Sequence, residues 1–115
     1  MATSQKKLTP LEYLSQFSPE AVKSFQGLRE ALVKSGPLDR KTCELITLGA
    51  FATARIEGGF KTHARRLLND GVSAETLRQA VLVTFGATTT LTVVLDSLHW
   101  IDDIVATSVE KTCSR

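Results

Sequence analysis

The chain has 115 residues, enough for one domain whose hydrophobic core needs no metal or disulfide to hold it. Its net charge of +2 and its scattered basic residues argue against nucleic acid as a partner, and its two cysteines are too few for a disulfide scaffold. The longest weakly polar run, residues 81–95, is shorter than a membrane span. The polar N-terminus is not typical of a signal peptide, so we expect a cytoplasmic protein with reduced thiols.

Two helices open the predicted structure, after a flexible tail at residues 1–8. In each, a threonine or serine that can act as a cap precedes a proline at the first helical position. These signals predict helices over residues 10–16 and 19–34. The glycine and proline at 36–37 end the second helix, because proline cannot continue it.

A third helix begins after a capping Asp39, and we expect it to run to about Glu57. Apolar residues surround its axis, which is typical of a helix buried on most sides, so the ionisable Glu44 within it is conspicuous. Gly58 and Gly59 are predicted to break this helix. Two adjacent glycines in a helix interior cost about 2 kcal/mol relative to alanine.

Three more helices complete the prediction. The first covers residues 60–69, and the second follows a capping Ser73 and has an apolar face that extends to Phe85. The last covers residues 88 to about 107; its TTTLTVV run favours a strand, but a lone strand would have no partner. The predicted fold class is therefore all-α, with about five or six helices around a central antiparallel hairpin, in a single domain over residues 9–115.

Glu44 and His63 form the best candidate site. Glu44 lies early on the first helix of the hairpin and His63 about one turn into the second, so the carboxylate and the imidazole can meet. Such a pair suits acid–base catalysis, with the carboxylate holding the imidazole in one tautomer. Arg55 and Lys61, close to the hairpin, are candidates to bind a substrate carboxylate. The structural alternatives are an ion pair of Glu44 with Arg40 or Arg55, and a packed His63 bonded to a backbone carbonyl.

Other polar clusters suggest no second site. His99 and Trp100 on the last helix are typical of packing or subunit contact. Asp96, Asp102 and Asp103 lack histidine or cysteine at metal-ligand spacing, so we predict no metal site and no cofactor.

The segments LDRKTCELITLGAFATA and ARRLLNDGVSAETLRQAVLVTFG, with His63 between them, resemble the carboxymuconolactone decarboxylase and alkylhydroperoxidase D-like superfamily. The resemblance covers about residues 38–104, over half of the chain. It implies the superfamily's all-α fold and its trimers or hexamers, with the site near subunit contacts. We therefore expect a homo-oligomer, with a hexamer as the favoured state.

The peroxidase branch of this superfamily has a Cys-x-x-Cys pair, a histidine four residues after it and a glutamate twelve residues before it. Counted in this chain, His63 and Glu44 occupy the histidine and glutamate positions, but Ile56 and Gly59 stand where the cysteines would be. Neither can supply the thiolate that reduces peroxide. The decarboxylase branch needs no such pair, and it acts on a cyclic lactone acid by proton transfer.

Three functions follow as hypotheses. The first is a cofactor-independent lyase or isomerase that uses Glu44 and His63 on a small carboxylated or lactone substrate. The second is an alkylhydroperoxidase-like peroxidase with an unusual thiol, for which the chain offers only Cys43 and Cys113. The third is a non-catalytic oligomeric binding protein that keeps the fold.

Overall fold

The computed structural model describes the backbone of residues 8–113 and the side chains of residues 8–107. The predicted flexible tail therefore lies outside the described residues except for Leu8, and so does the thiol of Cys113. Nothing in the described part tests the prediction for either of them.

Six helices account for the regular structure of the described residues, which confirms the all-α prediction. Their bounds are α1 Pro10–Ser15, α2 Pro19–Val33, α3 Arg40–Ala54, α4 Glu57–Asn69, α5 Ala74–Leu82 and α6 Leu91–Cys113. An isolated bridge joins Phe85 to Thr89 between the last two helices. Among residues 8–113, no helix combines the length and the apolar character needed to span a membrane.

The first compact unit ends at Leu38 and contains α1 and α2, which pack on each other. Both helices begin where their caps predict. Thr9 and Glu12 form a reciprocal capping box on α1, and the hydroxyl of Ser18 accepts a hydrogen bond from the backbone N–H of Ala21 on α2. The prolines at the first helical positions cost no hydrogen bond there, because that N–H would have no partner within the helix.

The second unit, from Asp39 onward, contains α3 to α6 and holds the core. Helices α3 and α6 each contact the other three helices, so these two form the centre of this unit. The buried apolar side chains are Leu48, Ala52, Phe60, Ala64, Leu67, Val72, Leu77, Val81, Val94, Ile101 and Ile104. Ser97 is the buried polar residue among the described side chains, and its hydroxyl donates to the carbonyl of Val93, so its burial leaves no polar atom unsatisfied.

Asp39 begins α3 as predicted. Its carboxylate accepts the backbone N–H of Thr42 at 2.8 Å. Hydrogen bonds from the Thr42 side chain and then from its backbone N–H hold the pKa of Asp39 below its usual value. A cap that is ionised also interacts favourably with the positive end of the helix, which fixes where α3 starts.

The junction of the hairpin differs from the prediction. Helix α3 ends at Ala54, because Arg55 adopts the left-handed conformation with φ 61° and Ile56 then caps α4. The backbone N–H of Ile56 donates to the carbonyl of Phe51 at 3.0 Å, which satisfies an acceptor that the helix end would otherwise leave open. The predicted break at Gly58-Gly59 is therefore wrong, since both glycines lie in the first turn of α4.

Close packing explains the second of these glycines. A Cβ atom added at Gly59 would lie 2.5 Å from a ring carbon of Phe51, far inside van der Waals contact. Only glycine therefore lets α4 approach the Phe51 ring this closely. Gly59 is a packing residue of the hairpin rather than its hinge.

The segment between α5 and α6 also differs from the prediction. Helix α5 ends at Leu82, so Phe85 lies outside it and is exposed instead of facing the core. Helix α6 begins at Leu91, three residues after the predicted start at Thr88, and continues to Cys113. Gly86 turns the chain with φ 85°, a conformation that glycine adopts without strain. The β-branched run of threonines at 88–90 thus lies in the turn rather than in the helix.

Candidate functional site

Glu44 and His63 meet across the hairpin. The Nδ1 atom of His63 lies 2.8 Å from Oε1 of Glu44, within charge-assisted hydrogen-bond distance. The side chains of His63 and Glu44 are 18% and 13% exposed, so both are largely withdrawn from water without being sealed from it. The sequence placed one residue on each helix of the hairpin, and the structure brings them into contact.

This contact fixes the roles of the two imidazole nitrogens. A carboxylate can only accept hydrogen bonds, so a neutral imidazole in this contact carries its proton on Nδ1, which donates to Glu44. The other nitrogen, Nε2, then carries the lone pair. It can act as a base while Glu44 stabilises the imidazolium that results.

Phe51 and Gly59 support the histidine ring. The ring centroids of Phe51 and His63 are 5.1 Å apart with the planes tilted by 45°. Phe51 occupies this position because Gly59 leaves room for its ring. The sequence does contain a signal for this contact, since Phe51 follows Glu44 by two helical turns on the same stripe of α3.

Arg66 is a further member of the site that the sequence did not predict. Its Nη1 atom lies 3.6 Å from Oε2 of Glu44, the oxygen that His63 does not use. Arg66 follows His63 by three residues on α4, and this spacing places both on one face of the helix.

Arg55 and Lys61 contact carboxylates other than Glu44. Arg55 Nη2 lies 3.4 Å from Asp96, whereas Lys61 Nζ lies 2.9 Å from Glu57 and 3.3 Å from Asp103. The hydrogen bond to Glu57 raises the pKa of Lys61; partial burial opposes this and Asp103 adds to it. Lys61 is thus held firmly as a cation. The substrate-binding role of both residues stays a prediction.

An open apolar groove of about 670 Å³ lies between α3 and α5. Gly49 allows the two helices to come close there, since a Cβ atom at this position would lie 3.3 Å from the carbonyl oxygen of Ala80. The groove lining does not include Glu44 or His63, which face each other on a different side of α3. Its lining includes the apolar side chains of Leu45, Ile46, Ala50, Ala80 and Val83.

The positions that match the superfamily's cysteine pair carry no thiol. Ile56 is the cap residue of α4 and is half exposed, and Gly59 packs on Phe51. Cys43 precedes Glu44 on α3 as a partly buried thiol. Within the described side chains, no group of three or more histidine, cysteine, aspartate or glutamate residues is arranged to hold a metal ion.

The second unit is an all-α bundle built on a helix hairpin, and a glutamate and a histidine are in contact across that hairpin. These are the features on which the sequence resemblance to the carboxymuconolactone decarboxylase and alkylhydroperoxidase D-like superfamily rests. The model of the carboxymuconolactone decarboxylase family matches residues 19–101, which include the hairpin and all of these site residues. The chain therefore belongs to the carboxymuconolactone decarboxylase family, as the sequence resemblance predicts. No curated protein and no solved structure gives a significant match to it.

Proposed function

We propose that the chain is a cofactor-independent enzyme, a lyase or isomerase that uses acid–base catalysis on a small carboxylated or lactone substrate. The observation that carries this proposal is the 2.8 Å contact between His63 Nδ1 and Glu44 Oε1. A carboxylate that orients an imidazole is the arrangement a general base needs. Membership of the carboxymuconolactone decarboxylase family supports the substrate class.

The proton transfer follows from the assigned tautomer. For isomerisation, Nε2 of His63 takes a proton from a carbon next to the lactone carbonyl, whose oxygen receives the electron pair, and then returns the proton to another carbon. For decarboxylation, the C–C bond to the carboxylate breaks and CO₂ leaves. The electron pair passes into the conjugated carbonyl system. His63, which first takes a proton from water at Nε2, delivers that proton to the resulting carbanion. Glu44 stabilises the imidazolium in both reactions.

Substitution of Glu44 by glutamine tests the pair directly. The amide that Glu44→Gln introduces can donate to Nδ1 as well as accept from it, so we expect His63 to change from the Nδ1–H tautomer to a mixture. Turnover of a carboxylated lactone should fall by about tenfold or more, in line with the loss of an orienting carboxylate. The ¹⁵N chemical shifts of the ring report the tautomer, and loss of lactone absorbance or release of CO₂ reports turnover.

Glu75→Gln is the matched control, because Glu75 is an exposed glutamate on α5. We expect it to leave both the His63 ring shifts and the turnover unchanged. If Glu44→Gln behaves like this control in both measurements, the two residues do not act as a unit and the proposed function fails.

The peroxidase alternative receives less support from the site. A thiol peroxidase needs a thiolate where the substrate binds, and the matching positions are Ile56 and Gly59. Cys43 lies directly before Glu44, so its side chain leaves α3 about 100° away from the side that faces His63. The binding-protein alternative shares the fold and would lack the proton transfer.

We also propose that the protein is a homo-oligomer, as its family resemblance implies, and that it works in the cytoplasm. We place the subunit contact at the groove between α3 and α5, where a second copy of the chain would bind. Ile46 and Val83 line this groove and are 57% and 66% exposed. Contiguous apolar surface of this kind marks interaction sites. A trimer or hexamer would cover it.

A charge placed in the groove tests this assembly. We expect Val83→Glu to lower the molar mass in solution toward that of the monomer, because a carboxylate buried at an apolar contact is unpaired. Light scattering coupled to size exclusion measures the mass. Lys23→Glu, on the exposed side of α2, should leave the mass at the wild-type value. A wild-type mass retained by Val83→Glu would exclude the groove as the subunit contact.

A further inference from the structure

The cations around the hairpin differ in which carboxylate they contact. Lys61 lies between Glu57 and Asp103, and its side chain is only 21% exposed. Arg55 is paired with Asp96. These contacts give both cations carboxylate partners other than Glu44.

Arg66 is in a different situation. It shares the single negative charge of Glu44 with His63, and the two distances are unequal: 2.8 Å for His63 Nδ1 and 3.6 Å for Arg66 Nη1. A charge-assisted hydrogen bond is about 2.7–2.9 Å long, so the arginine contact is an ion pair with its N–H donors largely uncommitted. The Arg66 side chain is also 52% exposed, which makes those donors accessible.

The charges of this trio change when the proposed reaction occurs. With neutral His63, the charges of Glu44 and Arg66 cancel. Once Nε2 takes a proton, two cations face one carboxylate and the trio carries a net positive charge. An anionic ligand next to it then becomes favourable, and a guanidinium binds a carboxylate through two parallel hydrogen bonds.

We propose that Arg66 binds the carboxylate of the substrate next to the Glu44–His63 pair, and so selects an anionic substrate over its neutral amide or ester. This inference rests on the proposed acid–base function of Glu44 and His63. Arg66 follows His63 by three residues on the same face of α4. By this inference, Arg66 is the residue that determines which substrate charge the site accepts.

A simple dicarboxylate tests the site without knowledge of the substrate. We expect succinate to shift the ring signals of His63 in NMR spectra of the full-length protein in a saturable way, whereas the neutral succinamide does not. Arg66→Gln should weaken succinate binding about tenfold, the usual order for loss of one bidentate partner, and Arg66→Lys should lie in between. Arg65→Gln is the matched control, because it removes the same charge from the neighbouring exposed residue, and it should change the affinity less than about twofold.

Three results would overturn the inference: no saturable shift with wild-type protein, equal binding of succinamide, or equal weakening by Arg65→Gln and Arg66→Gln. A different measurement tests the proposed acid–base function independently of the anion site. In His63→Ala, succinate binding followed at the Nε–H signal of Arg66 should persist. If succinate still binds there while turnover is also unchanged, the anion site stands and the acid–base assignment falls.

Discussion

Replacing Phe60 by alanine should destabilise the protein by about 3–5 kcal/mol, the range for truncating a large buried aromatic side chain. Phe60 is completely buried in the first turn of α4. Its ring packs edge to face on Trp100 of α6, with centroids 5.3 Å apart. Alanine would remove that contact and leave a cavity between two helices that both carry core residues. Because a domain of this size has a total stability of about 5–15 kcal/mol, the loss would be a large share of it.

Urea denaturation followed by circular dichroism measures the change, at one fixed protein concentration because assembly adds to the apparent stability. Phe85→Ala is the control, since Phe85 is an exposed phenylalanine outside the helices. We expect its effect to stay within about 0.5 kcal/mol, as for other surface substitutions. Where Phe60→Ala does not fold, Phe60→Leu gives a smaller measurable loss. Equal effects at the two phenylalanines would contradict a core centred on Phe60.

Local signals in the sequence predicted where most helices begin. Thr9, Ser18, Asp39 and Ser73 each accept a hydrogen bond from a backbone N–H three residues later, and that interaction needs no information from the rest of the fold. Hydrophobic periodicity likewise indicated the buried face of α5, apart from Phe85. These features depend only on residues within one or two helical turns of each other, so they can be predicted from the sequence.

The hairpin junction depends on contacts between helices, which is why its prediction failed. Glycine has a low helix propensity, and two in succession argued for a break. In the structure the break is at Arg55, and Gly59 lies within α4. Glycine occupies this position because the ring of Phe51 leaves no space for a Cβ atom. Tertiary packing thus overrides the local preference. Neither Phe51 nor Gly59, taken alone in the sequence, indicates where the helix breaks.

The candidate site also has one part that the sequence predicted and another that depends on contacts between helices. The superfamily's spacing aligned Glu44 with His63, and the two are in contact. Arg66 could not be assigned to them, because only the crossing of α3 and α4 decides that a residue three positions after His63 also reaches Glu44. Arg55 was predicted to bind substrate because it lies close to the hairpin. In the structure it pairs with Asp96, and its substrate-binding role stays a prediction.

Replacing His63 by alanine should lower turnover of a carboxylated lactone by about 10²–10⁴-fold, the contribution expected of a general acid–base residue. In the trio of Glu44, His63 and Arg66, the imidazole is the group that carries both an N–H donor and a nitrogen lone pair, so it can take and return a proton. Glu44 would remain beside Arg66, so the variant leaves no unpaired carboxylate and should fold and assemble as the wild type does. The loss should therefore appear in turnover and not in the molar mass or the thermal midpoint.

Two further measurements separate a chemical role of His63 from a structural one. His99→Ala is the matched control: His99 is the second of the two histidines and is exposed on α6, so its loss should leave turnover unchanged. Added imidazole should restore part of the activity of His63→Ala, because it can enter the vacated volume and transfer the proton, and it should do nothing for Glu44→Gln. A variant that assembles normally, keeps wild-type turnover and shows no response to imidazole would assign His63 to packing against Phe51. The hairpin would then be a scaffold, and the binding-protein hypothesis would take precedence.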